Sequence, residues 1–420
     1  MSVSSTQTRT ACVTVTRASL ILALDRARQV VPSRFPKPIL TCVRLEASED
    51  LLRIQATDGE LSLFTHVPAE GELPACVVPC TELARRLKTS RQGECSLTLS
   101  EDGQQLILNG GRVEHALRTL PPEEFPVVPV QYEGDAIEAN AAELVRALKV
   151  TGVGVAREPG RYALDAVLLE SGEEGTRLVA TDGRRLVTVE LREADELDGK
   201  ALLPQRFCRL IEKFTARAAD FLVLAVQRRP DEKGETLPGR IFAAGPDWLL
   251  SGFESEGRFP VYRDVVPRNH SRFAINRTAL LETLQEVALA VHEESRMVRV
   301  DLYADRVRLM AQAPEVGMSE AGLPAEFLGG SDPEIHTAFN PHFLMDAIKT
   351  IESDEIVIDV AQNGYGSDRK VFAKAALLYA RHDPSVRWVI MPINPGLEPT
   401  RENLGSNYPE NLKDEAADAA

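Results

Sequence analysis

The 420-residue sequence has no long hydrophobic run. Nowhere do about 18 apolar residues follow one another, so the sequence predicts no transmembrane helix. The first ten residues are polar and contain no apolar core of a signal peptide, which favours a cytoplasmic protein. The six cysteines are scattered without the spacing of a disulfide framework, as expected for reduced thiols.

The sequence also lacks the motifs of common enzymes. It has no phosphate-binding G-x-x-x-x-G-K-[ST] loop, and Gly152-Val153-Gly154 lacks the third glycine of a dinucleotide fingerprint. Cys76, Cys80 and His66 have no second ligand pair at zinc spacing, so we interpret the two cysteines as core or surface thiols. The seven histidines form no H-x-x-x-H pair. The sequence therefore predicts no active site, no metal and no cofactor.

Positive charge is in short supply as well. The formal net charge is −15, which argues against a protein that coats nucleic acid through bulk positive charge but leaves room for a local basic surface. The 44% apolar and 26% charged residues are typical of a folded protein, and the length suggests two to four domains.

What the sequence does have is a repeated turn. Thr181-Asp182-Gly183 separates two predicted strands, 177–180 and 185–191, and Ala56-Thr57-Asp58-Gly59 repeats this pattern in the first third of the chain. Asp-Gly between apolar runs is a strong hairpin signal, because glycine accepts the positive φ of such a turn. Asp58 and Asp182 resemble a catalytic carboxylate pair, but turn hydrogen bonding explains them better.

The turn belongs to a larger unit that occurs three times. Each third of the chain predicts an amphipathic helix, then strands and a hairpin, a second helix that begins near a proline, and further strands. Thr16 or Ser19, Asn140 and Asn276 are the predicted N-caps of the first helices. The sequence thus predicts an α+β fold with antiparallel sheets and three domains, 1–132, 133–266 and 267–395. It also predicts that the acidic tail that follows, 396–420, is disordered.

Cations gather on one face of the second helix in the middle repeat. Arg206, Arg209, Lys213 and Arg217 recur at helical spacing, and the first repeat has Arg85, Arg86, Lys88 and Arg91 at the matching place. In an acidic protein this segregation suggests a positive surface that faces a polyanion. The alternative is an ordinary solvated helix face.

These residues also form an ordered set of family motifs. The chain resembles the bacterial DNA polymerase III beta subunit, the sliding clamp, over about residues 11–394. The motifs that carry the resemblance are Pro38-Ile39-Leu40, Ala56-Thr57-Asp58-Gly59, Thr119-Leu120-Pro121 with Phe125-Pro126, Arg161-Tyr162 with Leu164, Val179–Leu186, Arg258-Phe259-Pro260-x-Tyr262, Asn276, Phe339-Asn340 and Val389-Ile390-Met391-Pro392.

The resemblance implies a non-enzymatic ring. Two chains would join head to tail, and their six domains would encircle duplex DNA without reading its sequence. Leu289 and Ala290 would lie in the dimer interface. The DNA-facing residues that the resemblance and the helix pattern together indicate are Arg34, Arg85, Lys88, Tyr162, Arg206, Arg209, Lys213 and Arg217.

The resemblance also implies a pocket for short peptides of partner proteins: the replicative DNA polymerase alpha subunit, the clamp loader and repair polymerases. The matching residues are Leu164, Thr181, Gly183, Arg184, Arg185, Leu186, Pro260, Val265, Asn340, Phe343, Val389, Ile390, Met391, Pro392 and Ile393. For each apolar member, ordinary core packing is the alternative interpretation.

Several positions depart from the family pattern and bear on peptide specificity. Arg184 stands where histidine is usual, Asp264 replaces a pocket arginine, Ser295 replaces an aromatic residue, and the ending Ile393-Asn394 runs on into the tail. They motivate a second hypothesis, a divergent accessory clamp that serves a special polymerase or binds an inhibitor. A third hypothesis, an enzyme of nucleic-acid metabolism on a repeated scaffold, requires a convergent metal or carboxylate site.

Overall fold

The structure is a computed structural model, and it describes residues 11–132, 134–156, 162–195, 199–215, 220–228, 239–267, 271–292, 296–362 and 373–393. These residues form two compact units. The first unit takes residues from 1–180 and 189–259, and the second takes 181–188 and 260–420. The hairpin segment Thr181–Thr188 therefore groups with the C-terminal part of the chain. No described helix is long and apolar enough to cross a membrane.

The described residues form six α-helices in three sequence-adjacent pairs. They are α1 (Arg17–Val30), α2 (Cys80–Thr89), α3 (Ala141–Gly154), α4 (Gln205–Phe214), α5 (Arg277–Val287) and α6 (Pro341–Thr350). Within each pair the two helices pack against each other. The paired second helices α2, α4 and α6 begin at the prolines that the sequence indicated, since the first turn of a helix tolerates a missing N–H.

Twenty-four strands are described. In chain order they are β1 (Cys12–Thr16), β2 (Cys42–Ser48), β3 (Leu51–Thr57), β4 (Ser62–Gly71), β5 (Leu73–Pro79), β6 (Glu94–Leu99), β7 (Gln105–Asn109), β8 (Glu114–Arg118), β9 (Asp135–Asn140), β10 (Ala166–Ser171), β11 (Thr176–Thr181), β12 (Arg185–Leu191), β13 (Gly199–Pro204), β14 (Phe221–Gln227), β15 (Arg240–Gly245), β16 (Trp248–Phe253), β17 (Ser271–Asn276), β18 (Val298–Leu302), β19 (Arg306–Ala313), β20 (Gly317–Gly329), β21 (Ile335–Phe339), β22 (Glu355–Gln362), β23 (Ala373–Ala380) and β24 (Val386–Ile390).

In the first unit, a long sheet runs in the order β8-β7-β6-β1-β4-β16-β15-β14-β9, and β5, β2 and β3 branch from β4. Strand β4 pairs with three other strands. Its residues Ser62–Pro68 pair with β3, Ala69–Gly71 pair with β1, and Ser62–Thr65 also pair with β16. The last strand of the predicted middle repeat thus extends the sheet of the first repeat.

In the second unit, the sheet order is β24-β23-β22-β17-β20-β19-β18-β21. The long strand β20 divides its pairing: Gly317–Pro324 pair with β19, and the residues from Ala325 onward pair with β17. All registered pairs are antiparallel, because hairpins make the connections. The predicted α+β class is confirmed.

The helices bury the faces that the apolar spacing predicted. Leu20, Leu24 and Leu280 are at most 2% exposed, and Leu144 and Leu148 are fully buried. Burial of such side chains against a sheet stabilises each by about 1.5–3 kcal/mol. The helices therefore lie where the sequence pattern placed them.

Helix capping agrees with the prediction in two of three cases. The Asn140 side chain accepts from the N–H groups of Ala142 (3.0 Å) and Glu143 (3.1 Å). Asn276 accepts from the N–H of Ala279 at 3.0 Å. Thr16 occupies the N-cap position of α1, but its side chain accepts no hydrogen bond from the first turn and so does not cap the helix.

Three predicted element bounds were wrong. The apolar run from Ile39 to Ala47 predicts a strand that starts at Ile39. The strand β2 instead begins at Cys42, because Pro38–Thr41 form a 3-10 helix that starts at the proline. The apolar spacing i, i+4, i+7, i+11 also predicts that α1 extends to Val31 and that α5 extends to Val291. Both residues lie beyond the helix ends; Val31 is still buried, at 7% exposure.

Candidate functional site

The two Thr-Asp-Gly turns have the same hydrogen bonds. In the first turn the Thr57 hydroxyl donates to the Leu61 carbonyl (2.8 Å), and one carboxylate oxygen of Asp58 accepts from the N–H groups of Glu60 (2.9 Å) and Leu61 (2.8 Å). Gly59 has φ +98°, which L-residues rarely adopt.

In the second turn the Thr181 hydroxyl donates to the Arg185 carbonyl (2.7 Å), and Asp182 accepts from the N–H groups of Arg184 (2.9 Å) and Arg185 (3.0 Å). Gly183 has φ +85°. The interpretation of Asp58 and Asp182 as turn residues fits this geometry.

The second oxygen of Asp58 has a further partner that the sequence did not indicate. It pairs with the guanidinium of Arg206 at the start of α4, and that guanidinium also donates to the Val30 carbonyl (3.1 Å) at the end of α1. Lys213, two turns further along α4, donates to the side chain of Gln29 at 2.9 Å. Two of the predicted DNA-facing cations therefore tie α4 to the end of α1.

The cations of the first repeat are paired as well. Arg85 and Arg86 share Glu82, with N–O distances of 2.6 and 3.6 Å, and Lys88 pairs with Asp25 at 2.8 Å. These side chains are 30–69% exposed, so each pair contributes little to stability, about 0–1 kcal/mol.

Three further predicted DNA-facing residues are exposed, and a fourth cannot be placed. Arg34 and Arg209 are exposed, and within the described part of the chain neither has a hydrogen bond or ion pair. Tyr162 is 47% exposed. Arg217 lies outside the described residues. Arg209 is thus the one predicted cation of α4 whose charge is left available.

A buried cation in the same unit was missed. Arg26, on α1, is 7% exposed, and its guanidinium pairs with Asp247 (2.6 Å) and donates to the Phe214 carbonyl at 3.4 Å. The Asp247 carbonyl accepts from the N–H of His66 and the hydroxyl of Thr65. The one available signal was the position of Arg26 beside Ala27 on the buried face of α1.

In the second unit, Arg185 is the centre of a compact charged cluster. Its guanidinium pairs with Asp182 (3.0 Å) and with Asp346 on α6 (2.7 Å). The same group lies over the ring of Phe343, 4.6 Å from its centroid, and 5.8 Å from that of Trp388. The Arg185 side chain is only 10% exposed, so two carboxylates and two aromatic rings surround it.

Backbone hydrogen bonds place two of the residues predicted for the peptide pocket, Met391 and Ile393, against other parts of the second unit. The Met391 N–H donates to the Arg184 carbonyl (2.9 Å), and the Ile393 N–H donates to the Ala338 carbonyl (2.8 Å). Asn340 caps α6 by accepting from the N–H of His342 at 2.9 Å, so its side chain has a structural task. These contacts hold residues 391–393 beside the hairpin turn and the end of β21.

The predicted pocket residues differ in exposure. Thr181, Leu186, Val389 and Ile390 are buried, so the alternative interpretation as core is the one that fits Leu186 and Val389. Those that reach the surface of the second unit fully or in part are Gly183, Arg184, Arg185, Pro260, Val265, Asn340, Phe343, Met391, Pro392 and Ile393. Leu164 belongs to the first unit, where it is partly exposed and its N–H donates to the Tyr162 carbonyl at 2.8 Å.

The two residues predicted for the dimer interface, Leu289 and Ala290, also differ in exposure. Leu289 is 79% exposed, whereas Ala290 is 3% exposed and packs inside the second unit. Only Leu289 offers its side chain to a partner. The assignment of both residues to the dimer interface stays a prediction.

The described residues contain no cluster of three or more His, Cys, Asp and Glu side chains that could hold a metal ion. Cys76 and Cys80 are buried, and desolvation raises the pKa of each thiol to about 12, so neither readily forms a thiolate ligand.

Family models match both ends of the chain. The DNA polymerase III beta subunit N-terminal domain matches residues 12–129, and the C-terminal domain of the same subunit matches residues 263–394.

Whole-chain relatives agree with these matches. The Beta sliding clamp of Caulobacter vibrioides is 26% identical over 393 residues, which cover 91% of this chain and 99% of the relative. That of Synechococcus elongatus is 26% identical over 349 residues, 81% of this chain and 90% of the relative.

Solved structures share the fold. The DNA polymerase III beta subunit of Pseudomonas aeruginosa has a TM-score of 0.76 at 24% identity and covers 91% of this chain and 99% of its own. That of Thermotoga maritima has a TM-score of 0.73 at 22% identity, with 91% and 99% covered. The chain belongs to the DNA polymerase III beta subunit family, the non-catalytic DNA sliding clamps of bacteria.

Proposed function

We propose that the chain works as a head-to-tail dimeric ring that encircles duplex DNA and tethers the replicative polymerase and other replication and repair factors in the cytoplasm. The three-domain division at 1–132, 133–266 and 267–395 is part of this proposal. The observation that supports the proposal most is a pattern of strand pairing between repeats. This pattern leaves two strands, β8 and the first half of β20, with an unpaired edge among the described residues.

Strand addition occurs once in each unit. In the first unit, β16 pairs with the start of β4, directly after the Asp58 turn. In the second unit, β24 lies next in sheet order to the Arg185–Thr188 part of β12, directly after the Asp182 turn. Each time, the strand that ends one repeat extends the hairpin of the preceding repeat.

Two edges remain without such a neighbour among the described residues. Strand β8, which ends the first repeat, pairs on one side only, with β7. The Gly317–Pro324 half of β20, which follows the third hairpin turn, pairs only with β19. An unpaired edge is a template for another strand. Joining β8 of one chain to β20 of a second continues the pattern, and doing so twice closes a ring of two chains.

The side chains next to these edges support a buried contact. Val316 and Met318 at the start of β20 are 67% and 59% exposed, and Val113 before β8 is 59% exposed. Large apolar side chains at unpaired edges are expected where a partner covers them. Leu289, 79% exposed, supplies a further apolar contact in the second unit.

The partner site is proposed on the surface formed by Met391, Val265 and Phe343 near the Arg185 cluster. A solved clamp from C. crescentus is described with PEG bound at a region that is proposed to tether a beta-motif, and one from Pseudomonas aeruginosa with griselimycin bound. The apolar side chains give a peptide its binding area, and Gly183 lets its backbone approach closely.

Retention on DNA tests the ring. A closed ring leaves DNA only by opening or by running off an end, so clamps loaded on nicked circular DNA should persist in salt that abolishes electrostatic binding. Linearising the same DNA should release them. Equal and rapid loss from circular and linear DNA at high salt would rule out encirclement. An equilibrium sedimentation measurement that found monomers only would rule out the dimer.

The alternative of a divergent accessory clamp is not favoured. Relatives from Caulobacter vibrioides, Synechococcus elongatus and Vibrio cholerae, which match over most of the chain, are all named Beta sliding clamp. The enzyme hypothesis required a convergent site, and the family is non-catalytic.

A further inference from the structure

The chain continues beyond the part that matches the family. The match to the C-terminal domain ends at residue 394, and residues 395–420 follow it. This C-terminal extension lies outside the described residues, and its sequence is the evidence for what it can bind. A polar segment of this kind can still bind a surface through short stretches.

The extension starts at the surface proposed for partner peptides. Met391 and Ile393, just before it, donate their N–H groups to the carbonyls of Arg184 (2.9 Å) and Ala338 (2.8 Å). The Met391 side chain is 44% exposed and therefore accessible to a ligand. Ten extended residues span about 33 Å, so most of the extension can return to this surface. A flexible tether of this length gives its segments an effective concentration of about 1 mM.

The extension combines negative charge with a few large apolar side chains. It has six acidic and two basic residues, and its large apolar residues are Leu397, Leu404, Tyr408 and Leu412. Two of these leucines end the same triplet, Glu402-Asn403-Leu404 and Glu410-Asn411-Leu412. In an extended chain, residues two apart point to the same side. Each triplet can therefore present a carboxylate and a leucine to one surface.

The partner surface offers a cation beside its apolar side chains. Arg184 is exposed, and its side chain has neither a hydrogen bond nor an ion pair within the described residues. Arg185, in contrast, is already paired with two carboxylates. Asp264, exposed beside Val265, carries the opposite charge. A negative segment should therefore place its carboxylate on the Arg184 side of the surface.

We propose that residues 395–420 are an internal ligand of the partner surface. In this arrangement Glu402 or Glu410 pairs with Arg184, and the leucine two residues later packs on Met391 and Phe343. The extension occupies the surface in the free clamp, and a partner peptide must displace it. The inference rests on the proposed partner site and adds a means of regulating it.

The first test uses the full chain with ¹³C-labelled methionine methyl groups. Leu404→Ser combined with Leu412→Ser removes both apolar anchors, so the Met391 methyl signal should shift between wild type and variant. Met318, 59% exposed on β20 of the same unit, is the matched control, and its signal should not shift. An unmoved Met391 signal would overturn the proposal. A Met391 shift that grows with protein concentration would also overturn it, because the ligand would then come from a second molecule.

The second test measures binding of a fluorescein-labelled peptide of residues 398–415. The Leu404→Ser/Leu412→Ser chain should bind it about two- to ten-fold more tightly than wild type, because the tethered copy competes at about 1 mM with a dissociation constant of about 0.1–1 mM. Adding Arg184→Glu should weaken binding about two- to five-fold. Arg306→Glu, at an arginine that is 58% exposed on β19, is the control and should not.

Equal affinity for wild type and variant would refute the proposal, as would equal effects of the two arginine substitutions. Salt-resistant retention of the Leu404→Ser/Leu412→Ser chain on circular DNA tests the ring separately. Loss of that retention in wild type and variant alike would refute the proposed encirclement, whereas the methyl signal and the peptide affinities decide whether the extension binds the partner surface.

Discussion

The two Thr-Asp-Gly turns share their internal hydrogen bonds but differ in the residue that follows. Leu61 stands two residues after Gly59, and Arg185 stands two residues after Gly183. Leu61 is 5% exposed and packs into the apolar interior, where a Cβ on Gly252 would come within 2.7 Å of it. Arg185 is charged and mostly buried, with its side chain 10% exposed and with Asp182, Asp346 and Phe343 around it.

The difference shows how one turn can serve two purposes. The first turn places an apolar side chain in the core and leaves its charge, Asp58, to an arginine that is 48% exposed. The second turn places the charge of Arg185 mostly inside the protein, next to Phe343, which is part of the proposed partner surface. A buried, fully paired cation keeps Phe343 and the turn in fixed positions, which a preformed binding surface requires.

The largest expected effect follows from removing the charge of Arg185, and it tests the difference between the two turns. Arg185→Ala leaves Asp182 and Asp346 without their cation, so we expect the second unit to lose about 2–3 kcal/mol of unfolding free energy. The two tryptophans allow each unit to be followed, since Trp248 lies in the first and Trp388 in the second. Urea unfolding in a Trp248→Phe background reports Trp388 alone.

The matched control is Arg206→Ala in a Trp388→Phe background. Because the Arg206 side chain is 48% exposed, its ion pair should contribute less than about 1 kcal/mol. Equal losses in the two variants would show that the two turns are energetically alike and would contradict the distinction drawn here.

A second prediction concerns what the turns share. Gly59→Ala and Gly183→Ala should each cost about 1 kcal/mol, because both glycines have positive φ and an added Cβ would meet no atom within 4 Å. The cost is therefore that of the backbone alone. Unfolding followed at Trp248 and Trp388 measures the two values.

Gly152→Ala serves as the control for this pair, since Gly152 lies inside α3 with a negative φ and open space at its Cβ. It should stabilise the first unit by up to about 1 kcal/mol. A cost at Gly183 much greater than at Gly59 would mean that the Arg185 cluster strains its own turn.

The smallest expected effect is a difference in pH dependence between the units. In the second unit, His336 hydrogen-bonds to the buried carboxylate of Asp301 at 2.7 Å, and Arg299 donates to the same oxygen at 2.9 Å. The hydrogen bond to Asp301 raises the pKa of His336. Burial opposes the charge of Asp301, yet the bonds from His336 and Arg299 hold its pKa below the ordinary value.

A raised histidine pKa stabilises the fold fully below the unfolded value of about 6.5 and loses that contribution as pH rises through the folded pKa. The free energy of unfolding reported by Trp388 should therefore fall above pH ~6.5. The decrease should be about 1 kcal/mol or less, because His336 is 44% exposed. His336→Asn should remove the pH dependence. The same pH dependence in the variant would assign it to another group.

Local structure was predictable because its determinants lie within a few residues. The turn at Asp182 needs only hydrogen bonds that reach from Thr181 to Arg185, and Asn140 and Asn276 cap helices two or three residues away. The start of β2 was mistaken for the opposite reason: Pro38 fixes a 3-10 helix within a run that otherwise looks like a strand.

The sequence by itself therefore determined the repeat, the hairpin turns, the helices with their buried faces, and, through ordered motifs, the family. Tertiary structure decided which side chains are available. Arg206 pairs with Asp58, 148 residues away, and Arg185 with Asp346, 161 residues away, whereas Arg209 pairs with none of the described residues. A helix presents all its cations alike in sequence, but only the packing of distant elements brings an acceptor to one cation and leaves its neighbour free.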